Sequence, residues 1–252
     1  MNIGRSSEII KNIKNHKNDS TAIVDDLFVL SLLKKHNIKV HTFIYCDDYD
    51  YKSECLELIE YFKSTSTSYI ISNKIMKTLM HKENCCHLIA ECDLNLVELN
   101  KLKDSKFLII NDRIEIPGNL GTIYRSADAT NVDGIVLVDA VTKLNNIKLV
   151  HASRGMNILI KTAYASFKET VDFLLDNNFN VYIGEPVEGI SYDKAAFDGK
   201  IAIVVGSERY GSNKLWLDYD VNKVFIPMDG EITSLNVSIA ASILMYEVKR
   251  KQ

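Results

Sequence analysis

Three times in its second half the chain repeats one design: a short apolar run stops abruptly at a polar turn carrying glycine or proline. The runs are Phe107-Leu-Ile-Ile, Ile201-Ala-Ile-Val-Val205 and Val224-Phe-Ile226. The turns are Pro117-Gly118-Asn119-Leu120-Gly121, Gly206-Ser207-Glu208-Arg209-Tyr210-Gly211 and Pro227-Met228-Asp229-Gly230. Runs apolar at nearly every position are strands of a parallel sheet covered on both faces, because a half-exposed strand would alternate. Such strands need crossover helices, and ligands then gather at the carboxyl ends of the strands. After the third turn, Ser234-Leu-Asn-Val-Ser238 opens a helix running to about Lys251, with Leu235, Ile239, Ile243 and Tyr246 at helical spacing.

The same alternation extends over the whole chain. Helices are expected at 7–17, 24–36, 54–62 and 73–80, with strands at 38–45, 68–71 and 87–91. This is a compact α/β domain of the first 98 residues. Leu94 to Ser105, polar and punctuated by leucines, reads as a linker. A second domain, 105–252, has strands expected near 107–111, 134–138, 157–161, 180–183, 201–205 and 223–226. Its helices are expected near 119–130, 167–177, 212–217 and 234–250. No apolar run is long enough to span a bilayer, and the N-terminus has no hydrophobic signal core, so the cytoplasm is the expected compartment.

Composition excludes some chemistry. All five cysteines fall in the first hundred residues without a regular framework, which argues against a secreted disulfide scaffold. Cys85-Cys86-His87 and Cys92 lack C-x₂-C spacing, so no metal site is expected there. A dinucleotide fingerprint G-x-G-x-x-G and a phosphate-binding P-loop are both missing, which disfavours an oxidoreductase on a doubly wound fold. The net charge of −3 does not suit a general nucleic-acid coat. Local clusters do carry positive charge: Lys74, Lys77 and His81 with Lys82 on one helix, and Lys11, Lys14 and Lys17 on another. Each is read either as a solvated face or as a phosphate contact.

The three segments, in this order and at these separations, resemble the three motifs of the SpoU (TrmH-type) ribose 2′-O-methyltransferases of the SPOUT superfamily. The resemblance runs from Phe107 to Lys251. Ser153-Arg154-Gly155 and the Ile226-Pro-Met…Ser-Leu-Asn-Val-Ser run look most like the thiostrepton-resistance 23S rRNA methyltransferase type. It implies an α/β chain: a C-terminal parallel-sheet domain tied in a trefoil knot, working as a homodimer, and a smaller N-terminal α/β domain that binds RNA. It implies S-adenosyl-L-methionine as cofactor, held by Gly206, Ile226 and Leu235 with Met228 lining the same loop, and no metal. It implies methyl transfer to a ribose 2′-hydroxyl of RNA, with 23S rRNA as the favoured target. A tRNA enzyme and a catalytically silent RNA-binding relative are the alternatives.

By the same resemblance the catalytic arginine maps onto Arg125, accompanied by Asn119, Glu208, Ser234 and Asn236. A guanidinium keeps its proton in proteins, so a role as base is physically difficult. A bidentate grip on the phosphate beside the target ribose, with stabilisation of negative charge on the 2′-oxygen, suits it better. Arg154, Lys74 and Lys77 are the expected RNA contacts. The chain departs from the thiostrepton-resistance type at His151, where that type has an arginine, and in a less basic N-terminal domain.

Overall fold

The structure is a computed structural model that describes residues 2–4, 7–80 and 86–252. His81, Lys82 and Cys85, singled out above, lie outside the described residues. Along the chain the elements are α1 (Glu8–Lys14), β1 (Thr21–Val24), α2 (Leu27–Lys35), β2 (Val40–Cys46), α3 (Ser53–Thr65), β3 (Thr67–Ile71), α4 (Asn73–Leu79) and β4 (Ile89–Asp93). A 3₁₀ turn at Leu99–Leu102 leads to β5 (Phe107–Asp112), α5 (Pro117–Ala129), β6 (Gly134–Val138), α6 (Ile147–Ser153), α7 (Met156–Leu159) and β7 (Thr162–Ala165). The rest is α8 (Phe167–Asp176), β8 (Phe179–Gly184), β9 (Ile190–Ser191), β10 (Lys200–Gly206), a 3₁₀ turn at Lys214–Asp218, β11 (Asn222–Phe225) and α9 (Val237–Lys251).

Two units form, and their division differs from the simple cut expected near residues 98–105. The first is Met1–Leu94 together with Leu144–Ile158; the second is Asn95–Lys143 together with Leu159–Gln252. The helical segment 144–158 joins the first unit because α6 packs on β1 and buries Leu149 and Val150. Gly155, at φ +82°, lets the backbone close on Val29, whose Cγ1 would lie 2.6 Å from an added Cβ. Nor is Leu94–Ser105 a plain linker. Val97 N–H donates to Thr162 O at 2.9 Å, and Leu102 is fully buried in the second unit's core.

In the first unit a four-stranded sheet runs β1-β4-β2-β3, with β4 antiparallel to both neighbours and β2 parallel to β3. Strand β1 ends at Val24, the residue at which a helix is expected to begin. Thr21-Ala-Ile-Val24 is buried at every position and too short for periodicity to reveal. The helix starts only at Leu27, where the Asp26 carboxylate accepts the Val29 N–H at 3.2 Å. Cys46, Cys55 and Cys92 are buried free thiols. Burial pushes Cys46 up to about 11 and Cys92 to about 12, so neither is a reactive thiolate near neutrality.

The second unit holds a seven-stranded sheet, β7-β6-β5-β10-β8-β11-β9, in which every pairing is parallel. Ile203 of β10 sits opposite Ile109 and Tyr182, and Ile201 to Val205 are all buried. Of residues 157–161, expected as a strand, 157–159 instead belong to α7, and the strand begins only at Thr162. Asn157 explains the helix: its buried side chain accepts from Ser153 Oγ at 2.6 Å, one turn back, and donates to Leu144 O at 2.9 Å. The expected helix near 212–217 is the 3₁₀ turn.

Helix α9 starts at Val237, capped by Asn236, whose Oδ1 accepts the Ser238 N–H at 2.9 Å. Its core face is Ala241, Leu244, Met245 and Val248. The stripe read from the sequence is not the buried one: Ile239 is 48% exposed and Tyr246 54%. Among the described residues, no helix is long and apolar enough to cross a membrane.

Candidate active site

At the carboxyl ends of β10, β8 and β11, which are consecutive neighbours in the sheet, a cavity of about 530 Å³ opens. Its apolar wall is built from Val205, Val224, Ile226, Leu235 and Leu244. Its polar side comes from the loops that follow β10 and β8 and from the first turn of α5. Gly206 is required where it stands, because a Cβ would overlap the backbone of Gly211 and Ser212. Gly211, at φ +67°, closes the turn by donating its N–H to Ser207 O at 2.9 Å.

The loops are tied together by one carboxylate. Glu208 Oε1 accepts from Asn119 Nδ2 at 2.8 Å and from Ile116 N–H at 3.2 Å; Oε2 accepts from Glu115 N–H at 3.1 Å. Ile116 and Pro117 open α5, whose first amides lack helical partners. An anion at that end also meets the positive pole of the helix. Partial burial works to raise the Glu208 carboxyl, but the hydrogen bonds from Asn119 and the backbone outweigh it and hold it below the usual carboxylate range. From Asn119 the chain of bonds continues: Asn236 Nδ2 donates to Asn119 Oδ1 at 3.1 Å, while Asn236 Oδ1 accepts from Ser238. All three motif loops are therefore linked through Glu208, Asn119 and Asn236.

Asn119, Glu208, Ser234 and Asn236 all line the cavity, as do Gly206, Ile226, Met228 and Leu235. Arg125 does not. It is exposed on α5, outside the cavity, and among the described residues it has no hydrogen bond or ion pair that would turn it inward. Arg154, Lys74 and Lys77 belong to the first unit. Lys74 and Lys77 are exposed on α4. Arg154 ends α6 in the left-handed conformation at φ 55°, its guanidinium 4.7 Å from the centre of the Phe28 ring. His151, the position that departs from the thiostrepton-resistance type, has a local partner: its Nε2 lies 2.6 Å from the buried Asp25 carboxylate.

Sequence reasoning missed Glu185, Arg209 and Ser212, which also line the cavity. Glu185 directly follows β8. The signal that marked β5, β10 and β11, an apolar run ending at a polar turn, is present there too and points to this residue. The cavity as a whole combines an apolar wall, close backbone approach at Gly206 and a polar rim. It suits a small organic ligand that is partly apolar and partly hydrogen-bonding. Among the described residues no cluster of ligand side chains could hold a metal ion.

Comparison with known proteins agrees with this geometry. A protein of Staphylococcus aureus assigned to the TrmH family of tRNA/rRNA methyltransferases is 35% identical over 164 residues, which span 65% of this chain and 66% of that protein. The 23S rRNA (guanosine(2553)-2′-O)-methyltransferase of Bacillus subtilis is 28% identical over 181 residues, 72% of each chain. The crystal structure of an AdoMet-bound rRNA methyltransferase from Sinorhizobium meliloti superposes with a TM-score of 0.88 at 20% identity, over 99% of this chain and 97% of that one, and so shares the fold. The model of the SpoU rRNA Methylase family matches residues 106–246, the stretch that holds all three loops around the cavity. On that match, covering more than half of the sequence, the chain belongs to the SpoU rRNA methylase family.

Proposed function

We propose that the chain transfers a methyl group from S-adenosyl-L-methionine to a ribose 2′-hydroxyl of RNA, with 23S rRNA as its target. The observation that carries this reading is the bond chain Glu208–Asn119–Asn236, which gathers all three motif loops around one cavity. The apolar wall and the backbone of the β10 and β11 loops fit the adenosine part of the cofactor, held by Gly206, Ile226, Met228 and Leu235. When bound, the cofactor supplies an electrophilic methyl group on a sulfonium.

The protein's own task is then alignment and charge stabilisation. Asn119 and Asn236 are held in fixed orientations by their mutual bond, and Ser234 stands beside them on the rim. These groups position the ribose hydroxyl. Glu208 spends its hydrogen-bonding capacity on the α5 loop, so its role is to position Asn119 rather than to remove a proton. Arg125 is solvent-facing, and its planar guanidinium suits a bidentate grip on an RNA phosphate. Arg154, Lys74 and Lys77 extend phosphate contact to the first unit as its RNA-binding residues.

We assign the homodimer interface to the α9 face that carries Ile239 and Tyr246, since large apolar side chains at a shared helical spacing otherwise face water. Helix α5 packs against α9, with Ser126 Oγ and Ser242 Oγ 2.6 Å apart. Arg125 lies on that helix pair but outside its own chain's cavity, so in the dimer its phosphate belongs to RNA entering the partner's cavity. The family's trefoil knot belongs to the same proposal. With ribosomal RNA as substrate, the compartment of action is the cytoplasm. Mapping 2′-O-methylation across total RNA with and without the gene tests the assignment: a single ribosomal site should disappear, and loss of a tRNA site instead would move the target to tRNA.

A further inference from the structure

Two carboxylates, Glu185 and Glu208, face the cavity among its described lining residues. Glu208 has both oxygens committed to the α5 loop. Glu185 does not. Its Oε1 accepts from Ser212 Oγ at 2.9 Å, and its backbone N–H donates to Val224 O at 2.8 Å, which fixes the residue at the end of its strand. Its Oε2 has no hydrogen bond among the described residues and is left to a ligand.

The position has a chemical meaning. Strand β8 lies next to β10 in the parallel sheet, and β10 ends at Gly206, where the backbone comes closest to the ligand. In doubly wound sheets, a carboxylate beyond the strand adjacent to the glycine turn takes ribose hydroxyls, because an ionised carboxyl only accepts and a vicinal diol offers two donors. Ser212 sits in the turn that Gly206 and Gly211 shape, so the same turn that admits the ligand also orients the carboxylate.

We propose that Glu185, oriented by Ser212, binds the ribose diol of the cofactor's adenosine and so determines which nucleoside the cavity accepts. This rests on the reading of the cavity as an S-adenosylmethionine site. The competing partner within that ligand is its amino group, which a carboxylate would also attract.

Two ligands separate these cases. S-adenosylhomocysteine has both the diol and the amino group; 5′-methylthioadenosine has the diol but no amino group. Calorimetry on the full chain should show Glu185→Gln weakening both by the same factor, about 10- to 100-fold, the scale of one hydrogen bond to a charged group. On the wild-type protein, removing the 2′-hydroxyl of 5′-methylthioadenosine should weaken binding similarly, with little further loss in Glu185→Gln. That ligand-side measurement stands even if the variant folds poorly. Weakening confined to S-adenosylhomocysteine assigns Glu185 to the amino group and overturns the proposal. Unchanged affinity in Glu185→Gln, with the wild type binding both ligands, overturns it alone. Binding of neither ligand by the wild type overturns the cofactor reading and this proposal with it.

Discussion

Replacing Glu208 with glutamine keeps shape and volume while removing one acceptor and the charge. The amide oxygen can take the place of Oε1 and still accept from Asn119 and Ile116. The amide nitrogen then faces the Glu115 N–H, donor against donor, where Oε2 accepted it at 3.1 Å. A hydrogen bond to a charged group contributes about 1.5–3 kcal/mol, and partial exposure moves this toward the lower end, to about 1–2 kcal/mol. Trp216 is the chain's single tryptophan and is buried in the second unit, so its fluorescence reports this unit selectively. With a urea m-value of about 2 kcal/mol/M, the midpoint should fall by roughly 0.5–1 M.

The pH dependence follows from the direction of the shift. Glu208 is held below its ordinary value in the folded state, so its contribution is complete above the unfolded-state pKa and is lost as pH falls through the folded one. The gap between wild type and Glu208→Gln should be constant from about pH 5.5 to 8 and should narrow below about pH 4. Equal midpoints, or a gap that does not change down to pH 3, would refute the idea that this carboxylate holds the loops.

Leu102→Ala should destabilise the second unit by about 2–5 kcal/mol, read by Trp216 fluorescence, because its side chain is fully buried there; a linker residue would show no change. Arg125→Ala should slow single-turnover methylation about 10²–10³-fold while leaving cofactor affinity unchanged, and Arg125→Lys should retain partial activity. Mixing Arg125→Ala subunits with subunits inactive at Asn119 should recover part of the activity if Arg125 serves the partner's cavity. Lys74→Ala with Lys77→Ala should flatten the slope of log affinity against log salt by roughly one unit per lost phosphate contact; an unchanged slope returns both lysines to the solvated face. Tyr246→Asp should shift a dimer to monomer in sedimentation velocity, with the fold retained.

The parallel sheet was readable because its central strands are buried on both faces, and such strands write continuous apolar runs such as Ile201–Val205. The short elements were not. Strand β1 has four residues, and the apolar run Ile158-Leu-Ile160 lies across the end of α7 just before β7, so no period distinguishes helix from strand there. The allegiance of 144–158 to the first unit depends on the approach of Gly155 to Val29, a long-range contact without a local signature. On α9 two apolar stripes compete, and only packing against α5 and β10 selects the one with Leu244 and Val248.

At the site, the motifs named Asn119, Glu208 and Asn236, and geometry brought these together. A motif fixes residue type and spacing but not orientation, which is why Arg125 stands outside the cavity that its companions line. Glu185 went unread although the apolar run Val181–Ile183 ends at a polar turn there, and only the sheet order, with β8 beside β10, shows that this turn joins the others.

The most direct test of the central claim is incubation of the purified chain with methyl-tritiated S-adenosylmethionine and ribosomal RNA, followed by alkaline hydrolysis. A ribose 2′-O-methyl group blocks cleavage of the next phosphodiester. The account predicts label in alkali-resistant dinucleotides, greatly reduced for Arg125→Ala. Label in mononucleotides, which would mean methylation of a base, or no transfer to any RNA, would contradict it.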